Sequence, residues 1–364
     1  MLTTGADGLS RVLAVEKHRP VEVAANLYVH YCKRIFRHSE SPFLLGVITR
    51  YLRWSEVVHL TAVYNFPTFP MLLACRMLQK PLVWSPRGAL QRWKDTRRQM
   101  PKTLWERACR SATPWRTVLH VTSEAERIDS SRRLPGLRTM IIPNGVEVPR
   151  QAVHVQGDGA LRLVYLGRLE PKKGLENLLL ACRILAATGV SFSLVIGGSG
   201  DAKYTARIEA QAAQLSLTSR VTFVGHVSRD AKAEFFANAD VAIVPSHVEN
   251  FCGVVAEALG HGVPVVASRG TPWARIEEVG CGLWVENDPE SLAQAIQKIA
   301  RMPLREMGEC GRKWMMAEYS WHQVAQQTLN LYSLLVSNDL VGKLAGVSVA
   351  PGKSLRVDPS LRSG

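Results

Sequence analysis

The stretch that most constrains this chain runs from Pro245 to Ala267, PSHVENFCGVVAEALGHGVPVVA. The apolar run just before it, Val241 to Val244, reads as a buried strand, and Val265 to Ala267 reads as another. Gly253 to His261 between them reads as a helix. Strand, loop, helix and strand in so short a span is an αβ unit, which implies a parallel sheet. Glu249 and Glu257 lie eight residues apart, slightly more than two helical turns, so the second carboxylate stays near the face presented at the helix start. That helix start offers free N–H groups and a positive dipole end. Carboxylates beside backbone donors at a strand's carboxyl end suit a polyhydroxylated ligand that carries phosphates. An ordinary αβ unit with solvated glutamates is the alternative that spacing alone leaves open.

Neighbouring segments repeat the pattern. After Arg162 comes LVYLGRLEPKKGLENLLLA: a strand, a turn with Arg168 and Lys173, then a helix with apolar spacing. Two cations at such a turn can hold a diphosphate, arginine through its planar fork and lysine as a point charge. The next strand, FSLVIGGSGD, ends in Gly197, Gly198 and Gly200, although any tight turn uses glycine. VTFVGHV, VAIVPS and PVVAS read as further buried strands. Cations, glycine turns and paired carboxylates therefore fall at the carboxyl ends of consecutive strands, where an open parallel sheet binds its ligand.

With these segments in view, the chain resembles a retaining glycosyltransferase of the GT-B fold, in the large family with an E-x7-E motif (glycosyltransferase family 4, group 1). The match is carried by Gly167-Arg168-Leu169 with Lys173-Gly174, Phe223-Val224-Gly225, Pro245-Ser246, Glu249 to Glu257, and Gly262 to Ala267. Ile142 to Val146 and Ser85-Pro86-Arg87-Gly88 also fit, so the resemblance covers roughly Val57 to Leu335. It implies an α/β architecture of two Rossmann-like domains whose parallel sheets face across a cleft. It also implies hexosyl transfer with retention, from a nucleotide-sugar donor to a glycan or lipid-linked acceptor, as in cell-surface polysaccharide or lipopolysaccharide biosynthesis. In that role Arg168 and Lys173 neutralise the departing diphosphate. Glu249 binds hydroxyls of the transferred sugar, helped by the backbone of Asn250, Phe251, Cys252 and Gly253, and Glu257 binds the ribose. The acceptor side falls to Tyr64, Asn65, Arg87 and Arg92. His59 is a further candidate there, its alternative being a structural strand histidine. No cofactor or metal is implied, and no Asp-x-Asp motif is evident.

The same comparison sets the expected domains. Residues 1–150 form an acceptor-binding Rossmann-like domain, with strands at Val57–Leu60, Leu82–Ser85, Val118–Thr122 and Met140–Ile142, helices near Pro67–Leu78 and Pro101–Ala112, and a capping box at Ser123 and Glu126. Polar QAVHVQGDGA marks the boundary. Residues 161–316 form the nucleotide-sugar domain, 320–335 a terminal helix that crosses back, and 341–364 a disordered tail. Relatives open with a strand and a glycine-rich loop, whereas MLTTGADG resembles the end of the second strand and its turn. The first strand and glycine loop are expected to be missing, either because the start codon is placed too far downstream or because the protein is shortened, and in the second case activity is in question. Cys252 stands where relatives carry glycine.

Composition fits 364 residues in two globular domains, 46% hydrophobic and 21% charged. Seven scattered cysteines favour reduced thiols, and with no secretory pattern at the start they predict a cytoplasmic protein. Charge is uneven: residues 1–150 hold 24 Lys and Arg against 11 Asp and Glu, net +13, while 151–364 hold 21 against 20. The excess gathers between Arg87 and Arg116, interleaved with Trp84, Trp93, Trp105 and Trp115. Cations with tryptophans suit an anionic membrane surface, which predicts peripheral association with the inner face of the plasma membrane. The alternative is a solvated basic face over buried tryptophans. No nucleic-acid motif is present. Two other functions remain in view: a catalytically impaired remnant acting as a binding protein, and a nucleotide-sugar epimerase. The epimerase needs acidic groups in the first half, which is basic.

Overall fold

The computed structural model describes residues 1–7, 11–35, 40–92, 99–157 and 159–337. The backbone divides into one unit of Met1–Val121, Arg127–Ile141 and Gln327 onward, and another of Thr122–Glu126 and Ile142–Gln326. The expected tail beyond Val341 lies outside the described residues.

The first unit opens with β1 (Leu2–Thr4), a small antiparallel pair β2 (Ala6–Asp7) and β3 (Arg11–Val12), and the hairpin of β4 (Pro20–Ala24) and β5 (Leu27–Cys32). β1 runs parallel to β5, so the order is β1-β5-β4. Strands and helices then alternate: α1 (Pro42–Trp54), β6 (Val58–Thr61), α2 (Thr68–Met77), β7 (Leu82–Ser85), α3 (Gln99–Ala112), β8 (Thr117–Val121), α4 (Glu124–Arg133) and β9 (Arg138–Ile141). β6 to β9 pair in sequence order, all parallel. Leu60, Leu82, Trp84 and Leu119 from these strands share a core with Leu44, Ile48 and Leu52 of α1 and with Cys32 of β5. Ser123 caps α4 through its hydroxyl, 3.1 Å from the Glu126 N–H. The Glu126 carboxylate returns to the Thr122 N–H at 2.7 Å, one residue earlier than a capping box requires.

The second unit holds β10 (Leu161–Leu166), a 3-10 turn (Pro171–Lys173), α5 (Leu175–Ala187), β11 (Phe192–Gly197), α6 (Ala202–Gln214), β12 (Val221–Gly225), α7 (Lys232–Ala237) and β13 (Val241–Val244). It continues with α8 (Gly253–Gly260), β14 (Val265–Ser268), α9 (Arg275–Val279), β15 (Gly282–Val285), α10 (Pro289–Ile299) and α11 (Leu304–Trp314). The sheet is parallel throughout in the order β12-β11-β10-β13-β14-β15. β13 and β14, buried at every residue and flanked on both faces, read as short continuous apolar runs for that reason, whereas edge strand β12, expected to be buried, is largely exposed. Leu178, Leu179, Ile208 and Ile296 of α5, α6 and α10 cover one face. Val255, Leu259, Ile276 and Trp314 of α8, α9 and α11 cover the other. A final helix, α12 (Trp321–Val336), follows. Among the described residues no helix is long and apolar enough to cross a membrane.

Candidate functional site

β10 and β13 are neighbours in the second sheet although β11 and β12 separate them in sequence. The order reverses between them, which opens a crevice at their carboxyl ends. The loop after β10 carries Arg168 and Lys173; the loop after β13 carries Ser246 to Cys252. Backbone hydrogen bonds lace these loops together: the His247 N–H donates to the Lys172 carbonyl at 2.8 Å, and the Glu249 N–H to the Gly270 carbonyl at 2.9 Å. Gly174 adopts φ +67°, and a Cβ there would stand 2.0 Å from the Pro245 carbonyl oxygen. Only glycine allows both the conformation and the approach. Gly198, at φ +140°, is held likewise: a Cβ there would stand 1.8 Å from the Gly167 carbonyl oxygen.

The side chains on these loops form separate ion pairs: Lys173 with Glu249, and Arg168 and Lys172 with Glu170. Lys173 donates through Nζ to Glu249 Oε1, and the Ser246 hydroxyl donates to the same oxygen at 2.8 Å. Both members are well covered, Lys173 at 15% and Glu249 at 8% side-chain exposure. Arg168 differs: its side chain is 69% exposed, and its partner is Glu170 at 3.1 Å. Glu257 pairs with Lys232 at the start of α7, at 2.7 Å, and its backbone carbonyl lies 2.8 Å from His261 Nδ1. The two glutamates thus engage different lysines. Lys232 and Ser246 had no assigned role in the sequence reading; a lysine on another helix leaves no local signal, whereas Ser246 sat inside a quoted motif.

α8 begins at the predicted place, but with a non-glycine residue in the left-handed region: Cys252 at φ +64°, which costs roughly 1–2 kcal/mol. Burial, then the Glu249 carboxylate, pushes its thiol well above the usual range, so it stays protonated. The Phe251 ring packs against Trp273 at 5.4 Å and belongs to the core. Among the described residues no His, Cys, Asp and Glu cluster of metal-binding size occurs.

The acceptor-side candidates form two clusters in the first unit. His59 Nε2 lies 2.6 Å from Ser85 Oγ and its Nδ1 2.6 Å from Tyr332 Oη, while Ser85 Oγ lies 2.9 Å from His120 Nδ1. Burial, followed by His120 and Arg87, lowers the His59 pKa to about 4, so the ring is neutral at ordinary pH. Both of its nitrogens are engaged. Arg87, two residues after Ser85, adopts φ +54°. In the second cluster, Tyr64 donates to the carboxylate of the buried Glu106, and Arg92 donates to the same Oε1 at 2.8 Å. Lys102 lies over the Tyr64 ring, 5.1 Å from its centroid. Trp105 Nε1 donates to the Val63 carbonyl at 2.8 Å and Trp84 Nε1 to the Ala62 carbonyl at 2.9 Å, which fixes the loop carrying Tyr64 and Asn65. The Asn65 carbonyl accepts from the Thr68 N–H at 3.1 Å as α2 begins. Glu106 is a residue the sequence reading passed over; one of only two acids, with Asp95, inside a strongly basic run, it was the available signal.

The described tryptophans in and beside the Arg87–Arg116 run differ in burial. Trp84 is buried and Trp105 half-buried, and both brace backbone from within the unit. Trp115 is exposed, and Trp93, Lys94, Arg97 and Arg98 lie outside the described residues.

The sequence profile of the family described as Glycosyl transferases group 1 matches residues 151–314, the part that contains the second sheet. An uncharacterised glycosyltransferase of Methanocaldococcus jannaschii, MJ1607, is 33% identical over 190 residues, which is 51% of this chain and 47% of that protein. The chain spans about half the length of the curated relatives it matches. Sucrose-phosphate synthase from Thermosynechococcus elongatus superposes with a TM-score of 0.68 at 22% identity, over 88% of this chain and 86% of that one. HepE of Anabaena, solved with UDP, superposes with a TM-score of 0.67 at 17% identity, over 84% and 86%. These likenesses show the fold: α/β with parallel sheets, as in GT-B glycosyltransferases.

Proposed function

We propose that the protein is a retaining glycosyltransferase that moves a hexose from a nucleotide-sugar donor to a glycan or lipid-linked acceptor. Its setting is polysaccharide or lipopolysaccharide assembly at the cytoplasmic face of the plasma membrane. One observation carries this reading. In a group 1 domain, Arg168, Lys173, Glu249 and the N-terminus of α8 all belong to loops at the carboxyl ends of β10 and β13, the switch point of the sheet. Arg168 and Lys173 stabilise charge that builds on the departing diphosphate, a role for preorganised cations. Glu249 accepts from hydroxyls of the sugar, and Glu257 from the ribose. In the protein without donor, Lys173 neutralises Glu249; the diphosphate competes for that lysine and frees the carboxylate for the sugar. The α8 N–H groups and the two cations supply the positive charge, so no metal is given a part. Tyr64, Asn65, Arg87 and Arg92 hold the acceptor, with His59 behind them. No side chain is named as base.

The test is transfer of a labelled sugar from a panel of nucleotide sugars into a lipid extract, with the anomeric configuration of the product read by NMR. Acceptor-dependent transfer with retention is expected. Donor binding without transfer identifies a remnant, and epimerised donor an epimerase. Inverted product refutes the retaining mechanism.

A further inference from the structure

The outer side of α2 and α3 leaves an apolar face uncovered. Leu73 and Met77 lie one turn apart on α2. Met100, Leu104, Arg107 and Ser111 follow one stripe of α3. The opposite stripe of α3, with Glu106, Cys109 and Ala112, is buried. The two helices pack side by side, and their ends are tied: Arg76 donates to the Ser111 carbonyl, and Trp115 Nε1 to Gln79 Oε1 at 3.0 Å. Lys80 donates to the Ser55 carbonyl at 2.8 Å, which brings Trp54 at the end of α1 beside them. Trp54, Leu73, Met77, Met100, Leu104 and Trp115 are between 42 and 82% exposed. Isolated exposed apolar residues are normal, but five on α1, α2 and α3 with Trp115 just past the end of α3 form a patch of the kind that marks an interaction site.

Charge identifies what covers it. From Arg53 to Arg116 the chain carries twelve Lys and Arg against three acids, Glu56, Asp95 and Glu106, of which Glu56 is exposed near Trp54. Glu106 is buried and held by Arg92 and Tyr64, so it offers the surface nothing. Arg76 and Arg107 lie among the exposed apolar side chains, and Arg53 and Lys80 lie beside Trp54. A second copy of the same face would set these cations against one another. Apolar side chains and tryptophans bordered by cations match an anionic bilayer instead, where rings sit at headgroup level and cations meet lipid phosphates.

We propose that the α2–α3 face docks this protein on anionic lipid, with Met77, Met100, Leu104 and Trp115 entering the headgroup layer. This deepens the membrane partner of the proposed function by naming its surface. It rests on that part of the reading and not on the transfer chemistry, because none of these residues belongs to the donor or acceptor clusters. The face differs from the sequence expectation, since Trp84 and Trp105 turn inward and Trp54 takes part.

The experiment is sedimentation of the full chain with vesicles of phosphatidylcholine alone or mixed with phosphatidylglycerol, at low and high salt, with no donor present. Binding to the mixed vesicles only, weakened by salt, is expected. Met100→Asp/Leu104→Asp and, separately, Arg107→Glu lower the bound fraction, the double variant about tenfold or more. Thermal melts and nucleoside-diphosphate affinity of both variants stay at the parent values, which separates loss of docking from loss of fold or of donor binding. Equal binding to both vesicle types, or none to either, overturns the proposal. So does a concentration-dependent dimer that Leu104→Asp abolishes, for then the face is a subunit interface.

Discussion

Replacing Lys173 by methionine removes the cation that neutralises Glu249 while leaving the carboxylate in place. Glu249 is almost wholly covered and keeps the Ser246 hydroxyl and the Cys252 thiol as side-chain donors. Removing one partner of a buried ion pair costs about 3–5 kcal/mol, because the other charge remains desolvated. With Ser246 still donating, the lower end applies, so Lys173→Met should lose about 3 kcal/mol of stability. Arg168→Ala provides the contrast. That side chain lies mostly in solvent beside Glu170, and exposed pairs contribute about 0–1 kcal/mol. It should therefore fold normally and lose activity, by about 2–4 kcal/mol of barrier, if it steadies the departing diphosphate. Adding Glu249→Gln to Lys173→Met removes the stranded charge and should recover at least about half of the lost stability. Urea unfolding followed by tryptophan fluorescence measures all four proteins, and steady-state transfer rates measure Arg168→Ala. If Lys173→Met costs under about 1 kcal/mol, or the double variant is less stable than the single, the two residues are not a buried pair in solution.

The paired glutamates should fail differently: Glu249→Gln lowers kcat with nucleoside-diphosphate affinity unchanged, and Glu257→Gln raises the donor KM and weakens that affinity. Calorimetry and steady-state kinetics decide, and the opposite pattern reverses the two roles. His59 has a folded pKa of about 4 against 6.5 for a free imidazole. The unfolded chain therefore takes up the proton first, and stability is complete above pH 6.5 and falls as pH drops toward 4. The loss is at most about 3 kcal/mol, from about 1.4 kcal/mol per pH unit, and His59→Gln should flatten that slope in pH-dependent urea melts. Glu106→Gln takes the carboxylate from Arg92 and Tyr64 and should cost about 2–4 kcal/mol. It should also raise the acceptor KM without changing donor affinity, whereas a purely structural role would leave the acceptor KM of the folded enzyme as it was.

The second unit was largely legible in the sequence because its sheet is buried on both faces. Strands such as Val241–Val244 then show as short apolar runs, and each loop after them carries its own cations, glycines or carboxylates. In the first unit the strands at Leu82–Ser85 and near Val118 were legible for the same reason. The hairpin of β4 and β5 was not, since Pro20–Ala24 is largely exposed and carries no buried run. Side-chain partnerships were the least legible. Lys232 with Glu257, and Glu106 with Tyr64 and Arg92, join residues 14 to 42 positions apart, so no local spacing announces them. The tryptophans show the same limit. Composition places Trp84 and Trp105 among cations, and only their indole bonds to the Ala62 and Val63 carbonyls show that they face inward.

The central claim is that the carboxyl ends of β10 and β13 bind a nucleoside diphosphate carrying a sugar. Calorimetric titration of UDP, ADP and GDP into the intact protein, beside Arg168→Ala and Glu257→Gln, tests it most directly. The account predicts saturable one-to-one binding of at least one of the three, weakened about tenfold or more by either substitution. Absence of binding by all three, or binding that neither substitution changes, would contradict it.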